Sequence, residues 1–137
     1  MDSVFIKERN SKYLEFFAPE KHHKLEQLDY FSVRYKSQAI ECVARVYAYE
    51  DGHRLASIFK EMAENWKGWN GKKEWAALEG EFAISCDITN TGKVTAKFFL
   101  TPGLDREWEV KSSVSFGAGE LNVLSKRMDK FFYVYGL

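Results

Sequence analysis

A change of hydrophobic period along the chain most constrains its fold. From Leu78, the residues Leu78, Gly80, Phe82, Ile84, Cys86 and Ile88 alternate with Glu79, Glu81, Ala83, Ser85, Asp87 and Thr89. A period of two places the two sets on opposite faces of a strand. Asn90-Thr91-Gly92 then reads as a turn. Val94, Ala96, Phe98 and Leu100 alternate with Thr95, Lys97, Phe99 and Thr101, and Pro102-Gly103 closes that strand. Trp108, Val110, Ser112, Val114 and Phe116 alternate with Glu107, Glu109, Lys111, Ser113 and Ser115. These strands predict an antiparallel meander of three. The first half has a similar rhythm over 3–8, 12–18, 31–36 and 40–49, with 19–29 as a connection that carries His22 and His23.

Two segments switch to a period near 3.6. Leu55, Ile58, Phe59, Met62, Ala63 and Trp66 form one stripe of a helix at about 53–67, with Asp51 as its N-cap and Gly68 as its C′ residue. Leu121, Leu124, Met128, Phe131, Phe132 and Tyr135 mark a second helix at about 120–133. Strands in runs, each run followed by a helix, predict an α+β fold. Its antiparallel β-meanders carry two amphipathic helices packed on the sheet. The order hints at a duplicated meander-plus-helix unit, without a repeat at the level of residues.

At 137 residues, with no linker-like composition, the chain reads as one domain over 1–137. Hydrophobic residues make up 45% and aromatics 16%, enough to fill a core. Lys plus Arg and Asp plus Glu both number 20, so the net charge is zero. That balance argues against a dedicated nucleic-acid binder, which needs a basic excess. No apolar run is long enough for a secretory signal or a membrane span. Cys42 and Cys86, both in the inward phase of their strands, read as reduced core thiols of a cytoplasmic protein.

Trp66, Trp69 and Trp75 cluster within ten residues. Trp66 ends a helix stripe and is expected to cap the core. Trp69 and Trp75 fall in the following connection. There they either pin the loop to the domain or form a stacking platform for a sugar or an anchor for a partner. Glu79 and Glu81 stand two residues apart on a strand, about 6.5–7 Å between Cα atoms. Glu107 and Glu109 repeat the relation. Such pairs are a solvated sheet face, a partner-binding acidic patch, or an acid–base pair of the glycosidase type. The stretch from Glu74 to Asp87 holds acids and no base, which makes a local negative patch. Neither HExxH nor CxxC spacing occurs, and Gly117-Ala118-Gly119 is no GxGxxG. No catalytic residue, metal or cofactor is expected.

From Trp66 onward the chain resembles a small bacterial domain family of unknown function. The resemblance rests on the Trp-x-Gly-Trp-x-Gly-x-Lys-x-Trp run at 66–75 and on Leu78-Glu79-Gly80. It continues through Trp108-Glu109-Val110 and Gly117-Ala118-Gly119-Glu120-Leu121 to Phe131-Phe132, so it spans 66–132. It implies a compact cytosolic domain with no catalytic residues to transfer. The resemblance implies, by association alone, a place among immunity proteins that accompany bacterial toxins.

The expected function is therefore a non-enzymatic binding protein of the immunity or antitoxin type that occludes a toxin-like partner. Its candidate charges are Glu79, Glu81, Asp87, Glu107 and Glu109, with Trp69 and Trp75 as anchors. The alternative is a small-molecule or carbohydrate binding domain built on the Trp cluster. Neither nucleic acid nor membrane is an expected partner. Aromatic rings on polar strand faces, Tyr47, Tyr49 and Phe99, leave room for a homodimer.

Overall fold

A computed structural model describes residues 3–21, 28–49, 51–103 and 106–133. His22, His23 and Tyr135 lie outside them. The first half builds β1 (Ser3–Glu8), β2 (Lys12–Lys21), β3 (Leu28–Lys36) and β4 (Glu41–Tyr47), followed by α1 (Gly52–Glu64). The second half builds β5 (Lys73–Ala76), β6 (Phe82–Ile88), β7 (Lys93–Leu100) and β8 (Val110–Gly117). A single 3-10 turn over Ala118–Glu120 leads into α2 (Leu121–Tyr133). Each half is a four-stranded antiparallel meander, in the orders β1-β2-β3-β4 and β5-β6-β7-β8. The α+β reading with two amphipathic helices is what the chain adopts.

The alternation observed in sequence sets the inward face of each sheet. Val4 and Ile6, Leu14 and Phe16, Phe31 and Val33, and Ala44 and Val46 are all buried on the first sheet. Phe82, Ile84 and Cys86, Val94, Ala96 and Phe98, and Val114 and Phe116 are buried on the second. These faces and the apolar stripes of both helices join into one core cluster. Phe31 sits at its centre. Its ring centroid lies 5.2 Å from Phe132 and 6.2 Å from Trp75. Phe16 meets Phe82 edge-on at 5.8 Å, which ties the two sheets directly. The helices touch so closely that a Cβ at Gly52 would come within 2.6 Å of the Phe132 ring. Any larger residue there would have to displace the buried Phe132 ring.

Two carboxylates clasp the halves at corresponding places. Glu8, at the link from β1 to β2, accepts the N–H of Ser115 on β8 at 2.8 Å. Glu81, at the link from β5 to β6, accepts the N–H of Tyr47 on β4 at 2.9 Å. The last strand of each half is thus satisfied by the first link of the other.

The structure departs from the sequence expectations at five places. The connection expected over 19–29 is shorter, because β2 runs on to Lys21 and β3 begins at Leu28. The strand expected from Leu78 begins at Phe82, because Leu78–Gly80 is a turn. Gly80 takes φ +78 there, and the N–H of Ala77 donates to the carbonyl of Phe82 at 2.8 Å, which closes the hairpin. An additional strand, β5, precedes that turn, so the second sheet has four strands and not three. β8 begins at Val110, not Glu107; the hydroxyl of Thr101 holds the carbonyl of Trp108 at 2.7 Å in an irregular segment. Finally, α1 stops at Glu64 with Asn65 as its C-cap. Trp66 is therefore 53% exposed rather than capping the core.

Candidate functional site

The expected site residues do not converge. Trp75 points inward from β5 and is only 5% exposed; its indole N–H donates to Asp51 Oδ2 at 3.2 Å. It offers no face for stacking a sugar. Trp69 is half-buried against the core, and its indole N–H is buried without a partner among the described residues. Glu81 is 2% exposed and serves the clasp, with Oε1 left unpaired. Glu79 is exposed on the Leu78–Gly80 turn, so the two carboxylates do not share a strand face. Glu107 and Glu109 are exposed in the irregular segment before β8. Arg106 reaches within 3.9 Å of Glu109, and one of its nitrogens lies against Gly80, beside Glu79. A base therefore stands among the acids that sequence distance had grouped. Asp87 is half-buried on the outer face of β6, opposite Thr95.

The outer faces of the two sheets differ sharply. On the first sheet, long side chains cover the surface and neutralise one another. Arg34 binds Glu15 at 2.6 Å and lies 4.4 Å from the Phe17 ring. Arg45 holds Glu20 through two hydrogen bonds, at 2.8 and 2.7 Å, and stacks on Tyr30 at 3.6 Å. The Arg45 hydrogen bond holds the Glu20 carboxyl below its usual range. Tyr47 sits between Tyr30 and Tyr49, at 5.1 and 5.8 Å.

The outer face of the second sheet is a shallow open trough of about 800 Å³. Strand register assembles it in rows. Glu74, Ser85, Lys97 and Ser113 lie side by side across β5 to β8. Ala76, Ala83, Phe99 and Lys111 form the next row. The small side chains of Ala76, Ala83, Ser85 and Ser113 leave the floor low, and Phe99 supplies an apolar ring. Lys72, Lys97 and Lys111 line it, against a single carboxylate, Glu74. Among the described residues none of these lysines is in an ion pair; Lys111 lies 5.9 Å from the Phe99 ring. The concavity therefore carries unneutralised positive charge. A second concavity, near Lys7, Arg9, Lys93 and Ser115, is also faced by Glu8 and Glu120. There three bases meet two acids, against three to one in the trough.

The strand pattern had already placed Lys97, Phe99, Lys111 and Ser113 outward. What no alternation reveals is which outward residues become neighbours. That depends on the pairing of Lys97 with Ser113 and of Phe99 with Lys111. β5, which closes the trough on one side, was not visible at all.

Other chemistries find less material. Cys86 is buried, and desolvation pushes its thiol up to about 12. Cys42 is half-buried and also raised, first by burial. Among the described residues no group of three or more His, Cys, Asp or Glu could hold a metal ion. No helix among them is long and apolar enough to cross a membrane.

The architecture defines an α+β protein of two meander-plus-helix halves with one filled and one open sheet face. The chain belongs to the Family of unknown function (DUF6228), whose model matches residues 5–134. No curated protein matches it. Among solved structures, it is similar to a chain from the crystal structures of Trypanosoma brucei MRP1/MRP2. The TM-score is 0.53 at 12% identity, over 94% of this chain and 81% of that one. At that identity the likeness concerns the fold alone.

Proposed function

We propose that the protein is a non-enzymatic binding protein of the immunity or antitoxin kind, and that it occludes its partner with the outer face of the second sheet. The partner contributes an acidic segment with apolar side chains, seated in the trough. One observation carries this reading: Lys72, Lys97 and Lys111 line a low, partly apolar floor with no carboxylate paired to them among the described residues. Unpaired surface charge steers encounter and selects partners of opposite sign. Phe99 and the alanine floor supply the desolvated centre that interfaces need. The acids first suspected, Glu79, Glu81, Asp87, Glu107 and Glu109, are dispersed or engaged, so the charge of the binding face is positive and the partner's is negative. Two free thiols, one of them buried, suit a reducing cytoplasm.

An isotope-labelled sample titrated with a peptide of alternating Glu and Phe tests the reading. Chemical-shift changes are expected at Ala83, Ser85, Lys97, Phe99, Lys111 and Ser113, and should fade as salt is added. Changes confined to the first sheet argue against it. A response to a single-stranded oligonucleotide in place of the peptide would reassign the same lysines to phosphate.

A further inference from the structure

β4 is the outer strand of the first sheet, and charge of both signs is what guards its free edge. It pairs with β3 alone, in unbroken register. The N–H of Tyr47 points away from β3, where Glu81 accepts it. Backbone groups alternate in direction along an antiparallel strand. Glu41, Val43 and Arg45 therefore also turn their N–H and C=O groups to the open side. Edges of this kind are normally blunted by a proline, a bulge or charged side chains; over Glu41–Tyr47 β4 has neither proline nor bulge, only the two opposite charges of Glu41 and Arg45. Val43 is 42% exposed, and the side chains of Glu41 and Arg45 are 51% and 57% exposed on the same face.

We propose that two copies of this chain pair antiparallel through β4, about a two-fold axis at Val43. In that register Val43 faces its counterpart. Glu41 of each copy, which Arg34 already holds at 3.3 Å, faces Arg45 of the other, which already holds Glu20, so each two-residue ion pair is extended to four charges of alternating sign, twice over. Opposite charges directly across a strand pair stabilise it and like charges oppose it. Neighbouring registers lose this match. An axis at Glu41 or at Arg45 sets like charges against each other. An axis at Cys42 pairs Glu41 with Val43. An axis at Ala44 calls on the Tyr47 N–H that Glu81 already holds. An isologous pairing of this kind joins the first sheets of both copies and uses the same patch twice. The trough lies on the other sheet and takes no part, so the pairing stands or falls independently of the proposed function.

Sedimentation equilibrium of the full chain over a concentration series is the test, with circular dichroism reporting the fold of each variant. The wild type is expected to sediment as two chains. Val43→Pro deletes an outward N–H without touching the bonds to β3, a position where strands tolerate proline. Arg45→Glu opposes like charges twice. Each should weaken the dimer by roughly tenfold or more. Glu41→Arg alone should weaken its own dimer in the same way, whereas a mixture of the Glu41→Arg chain with the Arg45→Glu chain sets opposite charges together at both places and should restore pairing, the intrachain contacts with Arg34 and Glu20 being the same in the mixture as in each variant alone. If Val43→Pro does not fold, the loss with Arg45→Glu and its rescue still decide. A wild type that stays monomeric throughout, or a dimer indifferent to Arg45→Glu, overturns the proposal.

Discussion

Cys42 and Cys86 occupy the same inward phase of their strands yet differ in exposure. Cys86 lies on β6, between β5 and β7, and is 1% exposed. Cys42 lies on β4, an edge, and is half open. The thiolate is the reactive species. In the native protein Ellman's reagent should therefore titrate Cys42 slowly and leave Cys86 untouched, while the denatured chain yields both. The pH dependence follows. Cys86 keeps its proton in the folded state up to about 12, whereas the unfolded thiol loses it near its ordinary 9.0. A raised acid of this kind contributes nothing below 9.0, and stability falls as pH rises through the window between those values. Denaturant melts at rising pH should show a steeper loss for the wild type than for Cys86→Ala; parallel curves would count against the burial argument. Inwardness was legible from alternation at both positions. Exposure was not, because it depends on which strand ends a sheet.

Among the elements, α1 shows how a local signal can be read correctly for the wrong purpose. Asp51 precedes the helix as the N-cap pattern requires, but its side chain makes no cap hydrogen bond. Its carboxylate instead accepts the Trp75 indole N–H and so holds β5 to the start of the helix. Asp51→Ala and Trp75→Phe should then be non-additive, with a coupling of about 1 kcal/mol in a double-mutant cycle. Strict additivity would restore the capping role. β5 itself carries little pattern in the sequence. Over Lys73–Ala76 the inward phase holds one apolar residue, Trp75, and one charged residue, Lys73, which reaches Glu61 on α1, and four residues are too few to establish a period. By contrast the longer runs, β6, β7 and α2, stood out because each repeats its pattern several times. Boundaries failed where a turn continued the alternation by coincidence, as Leu78 and Gly80 did before Phe82.

At the scale of the whole molecule, the two halves share an order of elements and a pair of reciprocal carboxylate clasps, Glu8 to β8 and Glu81 to β4. The order was visible in the hydrophobic rhythm. The clasps were not, since a carboxylate beside a strand end has no pattern of its own. Nor could the sequence distinguish the two outer faces. Both alternate polar with apolar, but one carries arginines that find carboxylates and the other carries lysines that find none. The acids at 74–87 suggested a negative patch, and folding dispersed it across a turn, a buried clasp and a sheet face. Function is therefore argued from what remains unneutralised after folding. The most direct measurement is affinity capture from the native host, in parallel with wild type and with the Lys97→Glu, Lys111→Glu double variant, the bound material being identified by mass spectrometry. The account predicts an acidic protein held by the wild type, released by salt, and lost with the double variant at an unchanged melting temperature. Equal capture by both forms would contradict it.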